Sequence, residues 1–160
     1  GHETTTNLIG NALWALSIYP IARKTLIENP AILNSAIDEF LRFLSPNQFG
    51  NRETAFEVSL SGKKIPKNTN LHLCIGAANR DPLQFKDPEE LIIDRTPNRH
   101  LAFAGGAHHC VGFSLAKMEA RIAIGMFLKN FPNYNLISKP RWSRRIRFRG
   151  LTHLHARLER

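Results

Sequence analysis

The most informative part of this sequence is the run Phe103-Ala104-Gly105-Gly106-Ala107-His108-His109-Cys110-Val111-Gly112. It is a glycine-rich loop that carries a thiol to the start of an amphipathic helix, which begins after Gly112 and continues to about Asn130. Because free N–H groups at a helix start stabilise negative charge, this position favours a thiolate. The run therefore indicates a site at which Cys110 acts as a ligand or a nucleophile.

Two chemistries other than cofactor ligation also use such a cysteine. A nucleophilic cysteine needs a base that a third group orients, and neighbours in sequence such as His108 and His109 rarely have that geometry. A zinc site needs further Cys or His ligands at short spacing, and His153 and His155 stand far from Cys110. Both alternatives stay open at this point.

The composition describes an ordinary globular chain. Its 160 residues, 42% hydrophobic and 22% charged, predict one domain with a buried core. No run approaches the ~20 apolar residues that cross a bilayer, and the first residues do not form a signal peptide, so we expect a cytoplasmic protein without a membrane anchor. Two cysteines are too few for a disulfide framework. Cys74 lies in an apolar run, Leu71 to Ile75, which predicts a buried thiol.

Apolar periodicity and proline positions predict the secondary structure. Three helices open the chain: Glu3 to about Ser17, Ile21 to Glu28, and a third from near Pro30 to the stop at Ser45-Pro46. Weak alternation predicts short strands over 54–60 and 70–75 around a turn at 61–64, followed by an irregular segment over 79–99. Further short strands are expected over 134–157. The predicted fold class is mainly α with small antiparallel β-sheets (α+β).

A late cluster of positive charge contributes much of the net charge of +9. Its arginines surround Trp142 and Phe148 and are Arg141, Arg144, Arg145, Arg147 and Arg149. Such a run could attract nucleic acid or an acidic protein. A solvated basic strand pair is an equally good interpretation, and since no nucleic-acid-binding motif accompanies the run, we expect no nucleic-acid partner.

The cysteine loop resembles the haem-binding signature of the cytochrome P450 family. The positions that carry the resemblance are Phe103, Gly106, His108, Cys110 and Gly112. It implies a haem b cofactor with Cys110 as the thiolate ligand of the iron. Ala104 stands where the family usually has glycine and Ala107 where proline is common, and an alanine at 104 is strained if its φ is positive.

A second landmark lies on the third predicted helix. Glu39-Phe40-Leu41-Arg42 resembles the Glu-x-x-Arg motif of the family, and Arg95 occupies the place of the arginine to which that pair is tied. The spacing puts both charges on one helix face. Any helix can carry such a pair, and an exposed one is worth under ~1 kcal/mol, but the apolar neighbours favour a buried position. The resemblance implies a structural role for the three residues.

A third landmark opens the chain. Gly1-His2-Glu3-Thr4-Thr5 resembles the acid–alcohol motif of the distal helix, which implies that Thr4 lies beside the oxygen site with Glu3 as its acidic neighbour. Splitting dioxygen requires protons, and a hydroxyl backed by a carboxylate can relay them. Glu3 and Thr4 are therefore the predicted catalytic residues.

The approach to the cysteine loop also resembles bacterial soluble members of the family. The matching runs are Ala77 to Pro82 and His100 to Phe103. By this match, Arg52, His100 and His108 are implied partners of the haem propionates, and cationic or hydrogen-bonding side chains suit carboxylates.

The resemblance implies that residues 1–160 are the carboxy-terminal, haem-ligating portion of one larger domain. The implied reaction inserts one atom of O2 into a small organic substrate, with electrons from a ferredoxin and its reductase or a similar donor. His109, Lys117 and Arg121 would flank the ligand loop and steer an acidic redox partner. The alternative is a truncated, non-catalytic remnant unable to bind haem alone, in which apolar faces of the first and third helices lie open.

Overall fold

The structure, a computed structural model, describes residues 1–159. Helices dominate this part of the chain, and antiparallel pairs of short strands complete it. The helices are α1 (His2–Ile18), α2 (Pro20–Glu28), α3 (Leu33–Leu44), α4 (Ile75–Ala78) and α5 (Phe113–Asn130), with 3-10 turns at Pro30–Ile32 and Gly106–His108. The predicted fold class is confirmed.

The core forms where α1, α3 and α5 contact one another. Small side chains at Ala12, Ala36 and Ala120 are completely buried, so the helix axes approach closely, and larger residues such as Phe40 and Ile124 fill the space between them. The predicted stop of α3 is confirmed, since Ser45 takes a left-handed conformation (φ 32°) directly after Leu44. This three-helix core fixes the first turn of α1 opposite the start of α5.

The β structure consists of four two-stranded antiparallel sheets within residues 1–159. The pairs are β1 (Phe49–Glu53) with β4 (Asn70–Cys74), β2 (Val58–Leu60) with β3 (Lys63–Ile65), β5 (Asn135–Leu136) with β8 (Ala156–Arg157), and β6 (Arg141–Trp142) with β7 (Leu151–His153). The small sheets expected after residue 134 and the strand expected from Asn70 are confirmed, although Ile75 begins α4 and does not extend the strand.

One strand prediction was wrong in its bounds. The strand expected over 54–60 covers only Val58–Leu60, and no sequence pattern predicted β1. The reason lies at Thr54, which is buried and breaks the strand: its hydroxyl donates to the carbonyl of Pro66 (2.6 Å) and accepts from the N–H of Thr69 (2.9 Å). These bonds fix the loop that returns the chain to β4.

The long irregular segment after α4 is confirmed over 79–99. The apolar face that stays open is not the one expected, however. Of the large apolar side chains on α1 and α3, only Ile18 is exposed, whereas α5 exposes a stripe of Leu115, Met118, Ile122 and Met126. The expectation of open faces on the first and third helices was therefore wrong, because those two helices bury their apolar residues against each other and against α5.

Candidate cofactor site

Cys110 lies in the short turn between the 3-10 turn at Gly106–His108 and the start of α5. Its N–H donates to the carbonyl of Phe103 (2.9 Å), and its own carbonyl accepts from the N–H of Phe113 (3.3 Å). Phe103 packs against the core, so the loop is fixed from within. The thiol is exposed and free. The main chain therefore holds Cys110 rigidly while its side chain faces outward.

The loop turns through two residues with left-handed backbone. Ala104 has φ 58° and Gly106 has φ 65°. Glycine adopts this conformation freely, but an L-residue such as alanine is strained by about 1–2 kcal/mol. The departure from glycine at position 104 therefore places strain in the cysteine loop, while the backbone keeps its turn through the bond from the N–H of Ala104 to the carbonyl of Leu101 (2.8 Å).

A cavity of about 940 Å³ separates the cysteine loop from the first turn of α1. Cys110 and Gly112 line it together with Thr4, Thr5 and apolar residues of α5. A Cβ atom added at Gly112 would meet no atom within 4 Å. The wall beside the thiol is therefore open, and a wide flat ligand can approach the sulfur.

The structure brings Thr4 to this cavity but turns Glu3 elsewhere. The Thr4 hydroxyl donates to the carbonyl of Gly1 at 3.4 Å. Glu3 does not line the cavity and pairs with Arg145 from the basic segment. Thr5 is the most buried of the three threonines that line the cavity, with 8% of its surface exposed. The threonine predicted from the sequence thus lines the same cavity as Cys110, whereas the neighbouring carboxylate is held by an arginine.

A second cavity of about 650 Å³ adjoins the first. Both are lined by Asn47, Ala104 and His108, so they meet at the cysteine loop. Arg52 lines the second cavity, and its guanidinium donates to the carbonyl of Asn51 (2.8 Å). Two of the three residues predicted to hold propionates, Arg52 and His108, therefore lie on one cavity.

Cys74 also lines the second cavity, and the prediction that it is buried was wrong. The thiol is exposed. Cys74 ends β4, and its Cα pairs with that of Phe49 at the edge of a sheet of only two strands. Within residues 1–159 the cavity lies against this side chain, so the apolar run gave a misleading signal of burial.

His100 lines neither cavity. Its Nε2 lies 3.3 Å from Asp38, and its Nδ1 accepts from the N–H of Ala102 (3.2 Å). Lys117 donates to the same carboxylate at 2.8 Å. Burial alone would raise the pKa of Asp38, but hydrogen bonds and charges from His100 and Lys117 outweigh it and lower that pKa. His100 thus ties α3 to the segment that enters the cysteine loop.

The same contact changes the expected role of Lys117. Its ammonium is bound to Asp38, so its charge is largely compensated, whereas His109 and Arg121 are exposed. Arg121 has no ion-pair partner among the described residues. Of the basic residues that flank the ligand loop, Arg121 therefore carries the free charge.

Glu39, Arg42 and Arg95 meet in a buried network. Glu39 and Arg42 are fully buried, and Arg95 is 9% exposed. Both carboxylate oxygens of Glu39 accept from Arg42 at 2.8 Å, and Arg95 Nε lies 3.1 Å from Oε2. The N–H of Ile92 (2.9 Å) and the amide of Asn98 (3.1 Å) complete five donors around one carboxylate. A buried charge is stable when it is paired and fully hydrogen-bonded in this way.

Asn79 is a further positioning residue. It lies in the run Ala77 to Pro82, but the sequence pattern alone did not single it out. It is fully buried. Its amide donates to the Ser45 hydroxyl (2.8 Å), its side-chain oxygen accepts from the N–H of Leu101 (2.7 Å), and its carbonyl accepts from Arg42 (2.9 Å). Asn79 therefore links the end of α3 to the segment before Cys110.

The basic segment is held by aromatic rings and by the start of the chain. The guanidinium of Arg149 lies 5.1 Å from the ring centre of Trp142, and that of Arg145 lies 4.9 Å from the ring of Phe148. Contacts of this kind stabilise an arginine at a protein surface. Several arginines of the basic segment thus make contacts within the protein.

Neither a metal cluster nor a membrane span is found in the described residues. No group of three or more His, Cys, Asp or Glu side chains in residues 1–159 is arranged to hold a metal ion. In the same residues no helix combines the length and the apolar character that crossing a bilayer requires.

Comparison with known proteins gives the family. The cytochrome P450 family model matches residues 23–133. The biotin biosynthesis cytochrome P450 of Bacillus subtilis is 43% identical over 136 residues, which cover 85% of this chain and 34% of that protein. Cytochrome P450 107B1 of Saccharopolyspora erythraea is 41% identical over 161 residues, which cover 98% of this chain and 40% of that protein. The chain therefore belongs to the cytochrome P450 family.

Solved structures agree with this assignment. P450BioI in complex with hexadec-9Z-enoic acid ligated acyl carrier protein superposes with a TM-score of 0.96 at 40% identity, covering 99% of this chain and 41% of that chain. CYP109E1 from Bacillus megaterium in complex with corticosterone gives a TM-score of 0.97 at 35% identity, covering 99% and 43%. The chain spans 34% and 40% of the length of the two curated relatives. Its fold is thus part of the cytochrome P450 fold.

Proposed function

We propose that residues 1–160 are the carboxy-terminal, haem-ligating portion of a haem-thiolate monooxygenase, which inserts one atom of O2 into a small organic substrate. One observation carries the proposal: the exposed Cys110 and Thr4 line the same cavity of about 940 Å³ at the start of α5. A thiol at a helix start with an open space beside it would suit a thiolate ligand of a metal cofactor. Belonging to the cytochrome P450 family makes haem the cofactor to test.

The residues present fit haem b. The wall beside Cys110 is open at Gly112, and no atom lies within 4 Å of a Cβ added at Gly106. Arg52 and His108 lie on the adjoining cavity, where they would hold the two propionates. When bound, the haem supplies a redox-active iron, and a thiolate ligand favours cleavage of the O–O bond. Phe103, which packs on the core beneath the loop, keeps the sulfur in position.

Thr4 and Glu3 are the proposed proton path. The Thr4 hydroxyl lines the cavity and would pass a proton at Oγ1. Glu3 directly precedes Thr4 on α1. Its carboxylate side chain is 46% exposed and is therefore accessible to solvent. Arg145 competes for that carboxylate, and the ion pair must open before Glu3 serves the hydroxyl.

His100 and the buried charged residues have a structural role in this proposal, which is to position the cysteine loop. His100 anchors the segment before the cysteine loop to Asp38, and Glu39, Arg42 and Arg95 hold the irregular segment against α3. None of these four groups lines either cavity. Their role would be to keep the loop that carries Cys110 in one conformation.

A ferredoxin, reduced by its reductase, is the proposed electron donor. An acidic protein of this kind would approach the cysteine loop, where His109 and Arg121 are exposed. The proposal includes no nucleic-acid partner, because aromatic rings and Glu3 already engage Arg145 and Arg149 of the basic segment. The substrate would be a small organic molecule, and the solved structure of CYP109E1 is a complex with one such molecule, corticosterone.

A second candidate is a non-catalytic remnant that does not bind haem alone. The observation in its favour is the apolar stripe of α5, whose members Leu115 and Met126 are 54% and 61% exposed. In a longer protein another segment would cover such a stripe. The chain spans only 34% and 40% of the two curated relatives, so a longer protein of this family has further segments that could cover the stripe.

Haem uptake separates the two candidates. Residues 1–160, and the longer protein expected from the relatives, are each expressed with haem supplied, and haem content is measured after gel filtration. Stoichiometric haem in the longer protein supports the monooxygenase, and haem in both shows that the 160 residues suffice. No haem in either protein would refute the proposed cofactor.

A further inference from the structure

Arg147 is a cationic group that the proposed haem site does not use. It lines the cavity of about 650 Å³ together with Arg52 and His108. Its carbonyl accepts from the N–H of Gln48 (2.8 Å), which fixes its backbone, and its guanidinium lies 5.4 Å from the ring centre of Phe148. Within residues 1–159 no carboxylate pairs with it.

Among its neighbours in the basic segment, Arg147 alone faces a cavity. Arg145 pairs with Glu3, and Arg149 lies over Trp142. Arg144 is exposed and lines neither of the two cavities. Arg147 is exposed as well, but of these arginines it is the one that lines the cavity adjoining the cysteine loop.

The charges of the cavity exceed what haem requires. Haem b brings two propionates, for which Arg52 and His108 are the proposed partners, so Arg147 remains as a further cation. Apolar side chains, Leu73, Ile75 and Leu101, line the same cavity. A pocket with one cation and an apolar wall suits an amphipathic acid, because the guanidinium binds a carboxylate and the wall takes the hydrocarbon.

We infer that Arg147 binds the carboxylate of an apolar organic acid and so sets the substrate class of the proposed monooxygenase. The inference rests on the proposed function. A single planar guanidinium matches one carboxylate through two parallel hydrogen bonds. The two cavities share Asn47, Ala104 and His108, so a hydrocarbon chain anchored at Arg147 can extend toward the thiol of Cys110.

The test compares a charged with a neutral ligand of the same chain length. Dodecanoate and dodecanol are titrated by calorimetry into the haem-loaded protein, its Arg147→Leu variant and the matched control Arg144→Leu. The unaltered protein is expected to bind dodecanoate about tenfold more tightly, which is at the low end of what a charge-assisted hydrogen-bonded pair contributes. Arg147→Leu should abolish that preference and leave dodecanol binding unchanged, while Arg144→Leu should alter neither.

Three binding results would each overturn the inference. They are the absence of a preference for dodecanoate in the unaltered protein, an equal loss of both ligands in Arg147→Leu, and loss of the preference in Arg144→Leu. Haem content is measured on the same samples. Reduced haem in Arg147→Leu with an intact preference would assign Arg147 to a propionate, which also overturns the inference. Failure of the unaltered protein to take up haem would refute the proposed function itself.

Discussion

Replacing Glu39 by glutamine removes the only anion from a fully buried cluster of charges. The Glu39 carboxylate accepts from five donors, and all five are at 3.1 Å or less. Two of the donors belong to the guanidinium of Arg42, which has no exposed surface, and another to Arg95. Glutamine keeps the shape of the side chain but faces these donors with an NH2 group. Two cationic side chains then lie inside the protein without a counter-charge.

The expected loss of stability follows from burial. Breaking a buried ion pair by removing one partner costs about 3–5 kcal/mol, because the remaining charge is left uncompensated. An exposed pair provides the matched control: Glu89 contacts Arg80 at 2.6 Å, but 77% of its side chain is exposed. Such a pair contributes under about 1 kcal/mol, so Glu89→Gln should be nearly silent.

Urea unfolding of the haem-loaded protein, followed by circular dichroism, measures both variants. We expect the midpoint to fall by roughly 1–2 M in Glu39→Gln and to stay within error in Glu89→Gln. Equal shifts in the two variants would contradict the account, since burial would then not decide the energy. So would a Glu39→Gln variant as stable as the unaltered protein.

Two further perturbations act on the loop and on its anchor. Ala104→Gly should raise the melting temperature through a net gain of about 0.5–1 kcal/mol, because glycine removes the strain at φ 58°. Ala107→Gly, whose φ is not positive, should lower it, and a gain in both would refute the strain argument. Asp38→Asn should destabilise the protein at neutral pH, because the folded state lowers the pKa of Asp38 below its ordinary value of 3.8. That contribution to the free energy of unfolding is present above pH 3.8 and is lost as pH falls through the folded pKa. The difference in stability between Asp38→Asn and the unaltered protein should therefore disappear in acid. A difference independent of pH would contradict a stabilising role for the contacts of Asp38 with His100 and Lys117.

The helices could be predicted because their signals are local. Apolar residues at helical spacing and stops at Pro20 and Pro46 give the bounds of α1 to α3 without any tertiary information. The strand β1 could not be predicted, because Asn51 and Arg52 carry no apolar alternation. Pairing holds it instead, with Asn51 opposite His72 in β4. Such a strand depends on a partner that only the folded chain supplies.

The residues of the site likewise fall into those that could be predicted from local motifs and those that could not. Cys110 and Thr4 belong to short motifs, and the structure brings both to one cavity. The partners that engage Glu3 and His100 lie far along the chain, 142 residues away at Arg145 and 62 residues away at Asp38. Contacts between residues so far apart in sequence cannot be predicted from a pattern within one motif. The cavity position of Arg147 depends likewise on where the basic segment docks.

The choice of Cys110 over Cys74 as haem ligand is open to a direct spectroscopic test. Both thiols are free and exposed, and each lines one of two adjoining cavities, so Cys74→Ser is a matched control for Cys110→Ser. Each haem-loaded protein is reduced, exposed to carbon monoxide and examined in the Soret region. The account predicts the red-shifted band of thiolate-ligated haem in the unaltered protein and in Cys74→Ser, and its loss in Cys110→Ser. Survival of the band in Cys110→Ser, or its loss in Cys74→Ser alone, would contradict the assignment of Cys110 as the ligand.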